Sequence, residues 1–329
     1  MPVLNIAFSG TEELARSIAK RSDVRDIESY VYKEVRSGTT QIISLLRPLK
    51  HPERLRPLLS VLNVAKVGLV EVTKVDASLG EILVAFGCAG IEVGHVIINP
   101  EQGGWVDPEQ VKIILSQAGL GNWKLHESVP DEHDLREQLF AHLDEVENDS
   151  EGDLIIPVDQ HFNVKGVGLV AIGYVQSGTV NKHETVQILP ATENGIVRSL
   201  QVMDDDVDAA VSGDRVGLAL RNLREEALHR GCMIIHLETN ALEKHKISNF
   251  KLIKAPFQNR DLHEEDIVHA AVDMQFTVGR VKTVNGEDIT VEWESPLWLR
   301  SKSSPPVLIT QLDAAPMRII GVAKSIHSA

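Results

Sequence analysis

Apolar positions in roughly the first 145 residues follow two alternating periods. Short β-rich runs occupy residues 3–9, 41–46, 67–73, 95–99 and 123–127. Between them, Leu55, Leu58, Leu59 and Leu62 recur at i, i+3, i+4, i+7, as do Leu79, Ile82, Leu83 and Phe86. Val111, Ile114 and Leu115 open a third stripe of this helical spacing. Asp107-Pro108 gives that third helix a cap and a first-turn proline. Strands alternating with helices predict βαβ units, and so an α/β domain over 1–148 whose mostly parallel sheet is covered by helices on both faces.

The polar stretch 145–153 reads as a linker, and beyond it the helical period disappears. Apolar runs at 154–158, 168–175, 185–189, 195–202 and 215–220 are bounded by Gly, Asn and Asp. The same habit returns at 250–253, 267–277, 289–293, 306–312 and 317–326. This spacing predicts two antiparallel β-barrels, over 153–239 and 246–329.

Composition narrows the chemistry. The net charge of −14 opposes contact with phosphate, but its distribution is uneven. Residues 1–150 carry 15 basic and 23 acidic side chains, residues 151–240 carry 7 and 13, and residues 241–329 carry 11 and 11. Lys244, Lys246, Lys251 and Lys254 cluster at the start of that balanced last third, with Arg300 and Lys302 further on. A solvated barrel rim would also carry such a cluster. Cys88 and Cys232, the only cysteines, lie in apolar runs as unpaired thiols, which suits a reduced, cytoplasmic setting. No apolar stretch approaches the roughly 18 residues of a membrane span, so no membrane partner is expected. No Cys-x-x-Cys, His-Glu-x-x-His or Gly-x-Ser-x-Gly occurs, and His133 and His142 lack metal-ligand spacing. No metal site is expected, and a monomer is. Gly166-x-Gly168 is followed by a strand pattern rather than a helix, so it is not a nucleotide loop.

Two segments carry a family resemblance. From Ile156 the chain reads Ile-Pro-Val-Asp-Gln-His-Phe-Asn-Val-Lys-Gly-Val-Gly-Leu-Val-Ala-Ile-Gly-Tyr-Val-Gln-Ser-Gly-Thr-Val, and Ala-Val-Ser-Gly-Asp-Arg-Val-Gly-Leu-Ala-Leu-Arg follows from Ala210. This pairing resembles the second domain of the translational GTPases, the family of EF-Tu, SelB and the γ subunit of archaeal initiation factor 2. The resemblance implies a barrel that lies beside a GTPase domain and holds the aminoacylated end of a tRNA. The matching positions are Asp159, Phe162, Ile172, Gln201, Met203 and Arg221, with neutral Gln201 where the family usually has Glu. Phe162, Ile172 and Met203 also suit ordinary barrel core, and Arg221 could pair with Asp204-Asp205-Asp206. The run 316–326 is similar to the closing strand of the family's third domain, which grips the acceptor and T stems. That likeness implies tRNA contacts for Lys251 and Lys254 and adds the ribosome as a further partner.

The first domain departs from the family where GTP chemistry is done. The strand Asn5-Ile-Ala-Phe-Ser-Gly10 runs straight into Thr11-Glu-Glu-Leu14, without the P-loop Lys or its hydroxyl neighbour. Only about ten residues, 21–30, stand where the first switch loop would be. Arg47-Pro-Leu-Lys-His51 falls on the family's Asp-x-Pro-Gly-His, so Arg47 replaces the Mg²⁺-linked Asp and Lys50 the flexible Gly. His51 remains at the position that orients water, although a lone histidine more often packs locally. Asn99-Pro100-Glu101-Gln102 keeps the first residue of the guanine motif, and the resemblance sets Ser128 against the Ser of the family's last motif. Gly10, Asn99 and Ser128 are thus the candidate nucleotide contacts. GTP or GDP is the cofactor the family implies, with Mg²⁺ arriving only through the nucleotide. The sequence reads as an elongation-factor paralogue that binds aminoacyl-tRNA, with GTP hydrolysis weak or lost. A GTP-switched factor with an altered site and a pseudo-GTPase regulator without a tRNA ligand remain alternatives.

Overall fold

The structure is a computed structural model that describes residues 2–146 and 149–329. Residues 147 and 148 of the expected linker lie outside the described residues. The first strands are β1 (Val3–Ser9), β2 (Lys20–Val24), β3 (Ile27–Arg36), β4 (Thr39–Pro48), β5 (Val67–Val72), β6 (Val93–Ile98) and β7 (Lys124–His126). They form one sheet of order β2-β3-β4-β1-β5-β6-β7. The pairs β4–β1, β1–β5, β5–β6 and β6–β7 are parallel, whereas β2–β3 and β3–β4 are antiparallel. Every residue of β5 is buried, as a parallel strand covered on both faces requires.

The helices are α1 (Glu12–Ile18), α2 (Arg56–Leu62), α3 (Ala77–Cys88), α4 (Pro108–Gln117) and α5 (Glu132–Ala141). Apolar residues of α2, α3 and α4 share one core, and those of α1 and α5 another, on the opposite face. Asp107 caps α4 through the Glu109 amide, with Pro108 in the first turn. The segment 21–30 is not the reduced loop that the sequence suggests: it forms β2, a turn and the start of β3. Its alternation escaped notice because β2 is an exposed, charged edge, Lys-Arg-Ser-Asp-Val, the composition that discourages further pairing.

A histidine chain links β6, β7 and the end of α5. His95 Nδ1 lies 3.0 Å from His126 Nε2, its Nε2 lies 2.9 Å from His142 Nε2, and His142 Nδ1 lies 2.8 Å from Glu145 Oε2. Burial, then the neighbouring His142, His126 and Lys124, push His95 down to about 3. The folded protein therefore binds fewer protons at His95 than the unfolded chain between about pH 6.5 and pH 3. Stability is expected to fall on acidification through that window by up to about 1.4 kcal/mol per pH unit from this group. Urea midpoints measured against pH should show a shallower fall in His95→Gln, and an unchanged profile would refute the assignment.

The next strands are β8 (Ile156–Val164), β9 (Gly168–Tyr174), β10 (Thr179–Asn181), β11 (Thr185–Leu189), β12 (Glu193–Val202), β13 (Asp205–Val207), β14 (Ala209–Val211), β15 (Arg215–Arg221) and β16 (Met233–His236). The order β11-β16-β8-β9-β15-β12 closes into a barrel through β11–β12, while β13 extends β12 and β10 pairs with β14. The last strands, β17 (Leu242–Lys254), β18 (Ile267–Val272), β19 (Gln275–Asn285), β20 (Asp288–Arg300), β21 (Val307–Thr310) and β22 (Ile319–Ser328), form a second closed barrel of order β17-β20-β19-β18-β21-β22. Here the expected single strand over 267–277 is a hairpin. Asp273 and Met274 turn it with φ of 45° and 60°. Buried Asp273 pairs with Arg300 at 2.5 Å, and the Met274 amide donates to Asn63 Oδ1 at 3.0 Å. Tertiary contacts thus hold a turn that lacks the usual Asn-Gly signal.

The units interlock. Tyr174, Ala271, Met274, Leu308 and Ile319 from the barrels join the core of α2, α3 and α4. Asn5 Nδ2 donates to Gly213 O at 2.8 Å, Arg215 pairs with Asp23 at 3.1 Å, and Arg230 with Asp26. Ile155, Leu189, Met233, Ile235, Ala241 and Leu242 form a smaller core, with Trp298 packed against it.

Candidate functional site

The end of β1 is where a nucleotide's phosphates would be sought. Thr11 caps α1, its Oγ1 accepting from the Leu14 amide at 3.2 Å. Glu71, buried on β5, fills the space beside that helix start. Its carboxylate accepts from the Thr11 amide and from Asn99 Nδ2, each at 2.6 Å. A Cβ on Gly10 would lie 2.6 Å from the Phe8 ring and 2.8 Å from Glu71. A protein carboxylate therefore supplies the negative charge that a helix N-terminus favours.

Arg47 closes the other side, donating from Nε to Gly10 O and from Nη1 to Glu28 Oε2, both at 2.7 Å. Tyr30 Oη donates to the same Glu28 oxygen at 2.9 Å. Burial and this bond push Tyr30 up to about 12. Gly10 and Asn99 thus converge on internal partners, while Ser128 is exposed beyond β7. Glu71 was missed as a site residue, although a carboxylate inside the apolar run Val-Gly-Leu-Val-Glu-Val was a legible signal.

His51 faces the interior. Its Nε2 donates to Glu81 Oε2 at 3.0 Å, and its Nδ1 accepts from Ser78 Oγ at 3.3 Å. Glu81 also receives the Arg318 amide at 2.8 Å and Arg318 Nε at 2.9 Å, with Arg318 Nη2 on its other oxygen. Burial alone would raise Glu81, but the bonds from Arg318 and His51 outweigh it and hold it at about 2. The histidine that resemblance places beside attacking water instead binds α3, whose Glu81 is joined through Arg318 to the C-terminal barrel.

A groove of about 1100 Å³ opens between β2–β3 and the outer face of the first barrel. Strand register builds its floor: Gln201 stands opposite Gly217, which stands opposite Ile172. One step along lie Ser199, Ala219, Val170 and Phe162. Gly217 and Ala219 keep the floor low, and a Cβ on Gly217 would come no nearer than 3.9 Å to Gln201 O. Met203 closes one end in the left-handed region, at φ 49°, with its carbonyl held by Lys33 Nζ at 2.9 Å. Arg25 lies over the Phe162 ring at 5.9 Å.

Phe162, Ile172, Gln201 and Met203 are thus brought together. Phe162 and Ile172 lie on the half-buried outer face, unlike Ala171 and Gly173 between and beside them, which are buried. Asp159 does not line the groove. It is buried in a pair with Arg230 at 2.7 Å, and burial raises its pKa. Arg221 is exposed and does not meet the acidic tip: Asp205 takes Lys33, and Asp206 accepts from Gln201 Nε2 at 3.0 Å. Lys251 and Lys254 lie on β17 of the other barrel, where Lys254 pairs with Asp261 at 2.6 Å. Lys20, Arg21, Lys33, Arg198 and Arg215 also line the groove, and the sequence had not singled them out.

Residues 168–235, which supply most of this floor, match the family model described as Elongation factor Tu domain 2. This is a divergent translation-factor-like chain. Its fold is that of translation elongation factor SelB from Methanococcus maripaludis, solved with the GTP analogue GppNHp: the TM-score is 0.81 at 19% identity, over 100% of this chain and 80% of that one. The translation-factor-like chain is also 29% identical, over 96% of its length and 97% of the other, to an uncharacterized protein of Methanocaldococcus jannaschii. The selenocysteine-specific elongation factor of the same organism is 36% identical over 108 residues, which are 32% of this chain and 23% of that protein.

Proposed function

We propose that this chain carries the aminoacylated 3′ end of a tRNA in the groove between its α/β domain and first barrel, without a GTP cycle. The observation that carries this reading is the pair of outcomes at the two sites. The groove places Phe162, Ile172, Gln201 and Met203 together over a low floor, whereas Glu71 and Arg47 occupy the phosphate end of the nucleotide site. The residues present there do not fit GTP: the segment 10–14 carries no Lys for its phosphates, and a buried carboxylate stands among the donors that would receive them. Any switch between nucleotide states is therefore left out of the mechanism. Burial of the ester in a half-apolar groove would slow attack by water, and the exposed Lys251 on β17 would meet the stem phosphates.

The test is protection of several aminoacyl-tRNAs from spontaneous ester hydrolysis. Protection of acylated tRNA with weaker binding of uncharged tRNA is expected, and equal binding of both would defeat the reading. Phe162→Ala and Met203→Ala are expected to change the preference among amino acids by about tenfold, as pocket methylenes do. Arg221→Gln or the pair Lys251→Gln and Lys254→Gln should weaken all tRNAs alike. Each phosphate contact removed should lower the salt slope by about one unit or slightly less.

A further inference from the structure

Strands β12 and β13 pair Val202 with Asp205, Gln201 with Asp206 and Leu200 with Val207, so only Met203 and Asp204 join them. Both turn residues have positive φ, 49° and 71°. A two-residue hairpin needs this mirror-image geometry to match the twist of its strands, and it normally uses Asn-Gly, Asp-Gly or Gly-Gly, which adopt it at little cost. Met at the first position is strained. The hairpin supplies little to hold it, because β13 is three residues long, exposes Asp205 and Asp206, and among the described residues pairs with β12 alone.

The restraint comes from the other domain. Lys33 on β3 donates from Nζ to Met203 O at 2.9 Å and to Asp205 Oδ2 at 3.0 Å, so one ammonium ties the first carbonyl of the turn to the strand that follows it. Its own place is fixed by the sheet. Lys33 stands opposite buried Ile42 on β4, inside an unbroken antiparallel ladder that runs from Ile27 to Arg36. Val31, two residues earlier and so on the same face of β3, packs against the barrel core that includes buried Met203. An apolar and a charged side chain of one strand thus meet the turn together, and all three of Val31, Lys33 and Met203 line the groove.

We infer that Lys33 is a positioning residue for the groove: it holds the Met203-Asp204 turn in its left-handed form and so keeps Met203 as the end wall against which an esterified side chain stops. The inference rests on the aminoacyl-tRNA reading above and adds how one wall of that site is set from the α/β domain. Without the clamp the turn relaxes towards negative φ, the strands splay and the wall moves back.

The test compares the wild type with Lys33→Met, Asp204→Gly and the double variant, since Gly at the second turn position favours the left-handed turn with no help from Lys33. Two readouts are followed. One is hydrogen exchange of the amides of residues 204–207, which needs no ligand, and the other is protection of one tRNA transcript charged with alanine or with phenylalanine. Lys33→Met, at an unchanged urea midpoint, is expected to exchange about tenfold faster at the turn and to shift the ratio of protection about tenfold towards the phenylalanyl ester. The double variant should return both towards the wild type. Exchange at the turn that ignores Lys33→Met overturns the inference. A shift in preference that the added Asp204→Gly does not reverse overturns it too, because Lys33 then touches the ligand itself. A wild type that protects neither ester overturns the aminoacyl-tRNA reading alone, and the exchange readout still decides whether Lys33 holds the turn.

Discussion

Replacing Arg318 by Ala is expected to destabilise the protein by about 3–5 kcal/mol, the usual cost of stranding one partner of a buried ion pair. Arg318 gives Glu81 three donors, and both residues are buried. Without the guanidinium, the carboxylate keeps only His51 and the residue 318 amide. Exchanging both partners for apolar residues, as in Glu81→Leu with Arg318→Met, should recover much of the loss, because no charge is then left stranded. The pH dependence has the sign of a depressed acid. Glu81 stands at about 2 when folded against an ordinary 4.5. Its contribution is fully present above about pH 4.5 and is lost as the pH falls towards 2, worth about 3 kcal/mol in all. Urea unfolding of the single and double variants checks this, and an Arg318→Ala loss below about 1 kcal/mol would refute it.

That bond has a second consequence. It fixes α3 and the loop bearing His51 to β22, while the Met274 amide bound to Asn63 fixes the end of α2 to the hairpin β18–β19. The segment that resembles the family's second switch is therefore held by protein contacts at both ends.

Which parts of this were legible beforehand follows from the physics of each signal. The parallel strands and the helices α2, α3 and α4 showed themselves because their apolar periods are long and buried. Edge strand β2 did not, since Lys-Arg-Ser-Asp-Val holds a single apolar residue and its alternation in burial leaves no mark in hydrophobicity. The hairpin at Asp273-Met274 was invisible because its turn is held by Arg300 and Asn63, far away in sequence. Strand β16 is a short buried run, Met-Ile-Ile-His, too brief for periodicity to separate strand from core helix. At the groove, resemblance named Phe162, Ile172, Gln201 and Met203, which belong to one barrel, together with Asp159 and Arg221, which do not line it. It could not name Lys20 or Lys33, whose positions depend on the pairing of β2 and β3. That the segment 10–14 does not carry the P-loop pattern could be read directly, but the place of Glu71 beside Thr11 depended on β5 lying next to β1.

GTP hydrolysis by the purified protein is expected to be at background, a loss of at least the 10³–10⁵ that one charge-stabilising group supplies in phosphoryl transfer. By the resemblance, the segment 10–14 is without the phosphate-binding Lys and Arg47 stands where the family has its Mg²⁺-linked Asp, while Arg47 bonds to Gly10 O and His51 to Glu81. Glu71 adds a repulsive term. A phosphate charge about 4 Å from its carboxylate costs about 4 kcal/mol at the effective dielectric of such sites. Restoring activity would therefore need more than one substitution, and Glu71→Gln should not raise turnover. Titration with a fluorescent GTP analogue, with and without Mg²⁺, should show no magnesium-dependent saturation. Solution scattering should be the same with either nucleotide, because no switch segment is free to respond. Turnover above background that disappears in a His51→Gln variant of normal urea midpoint would show that the site still works, and the proposal of a carrier without a GTP cycle would then be wrong.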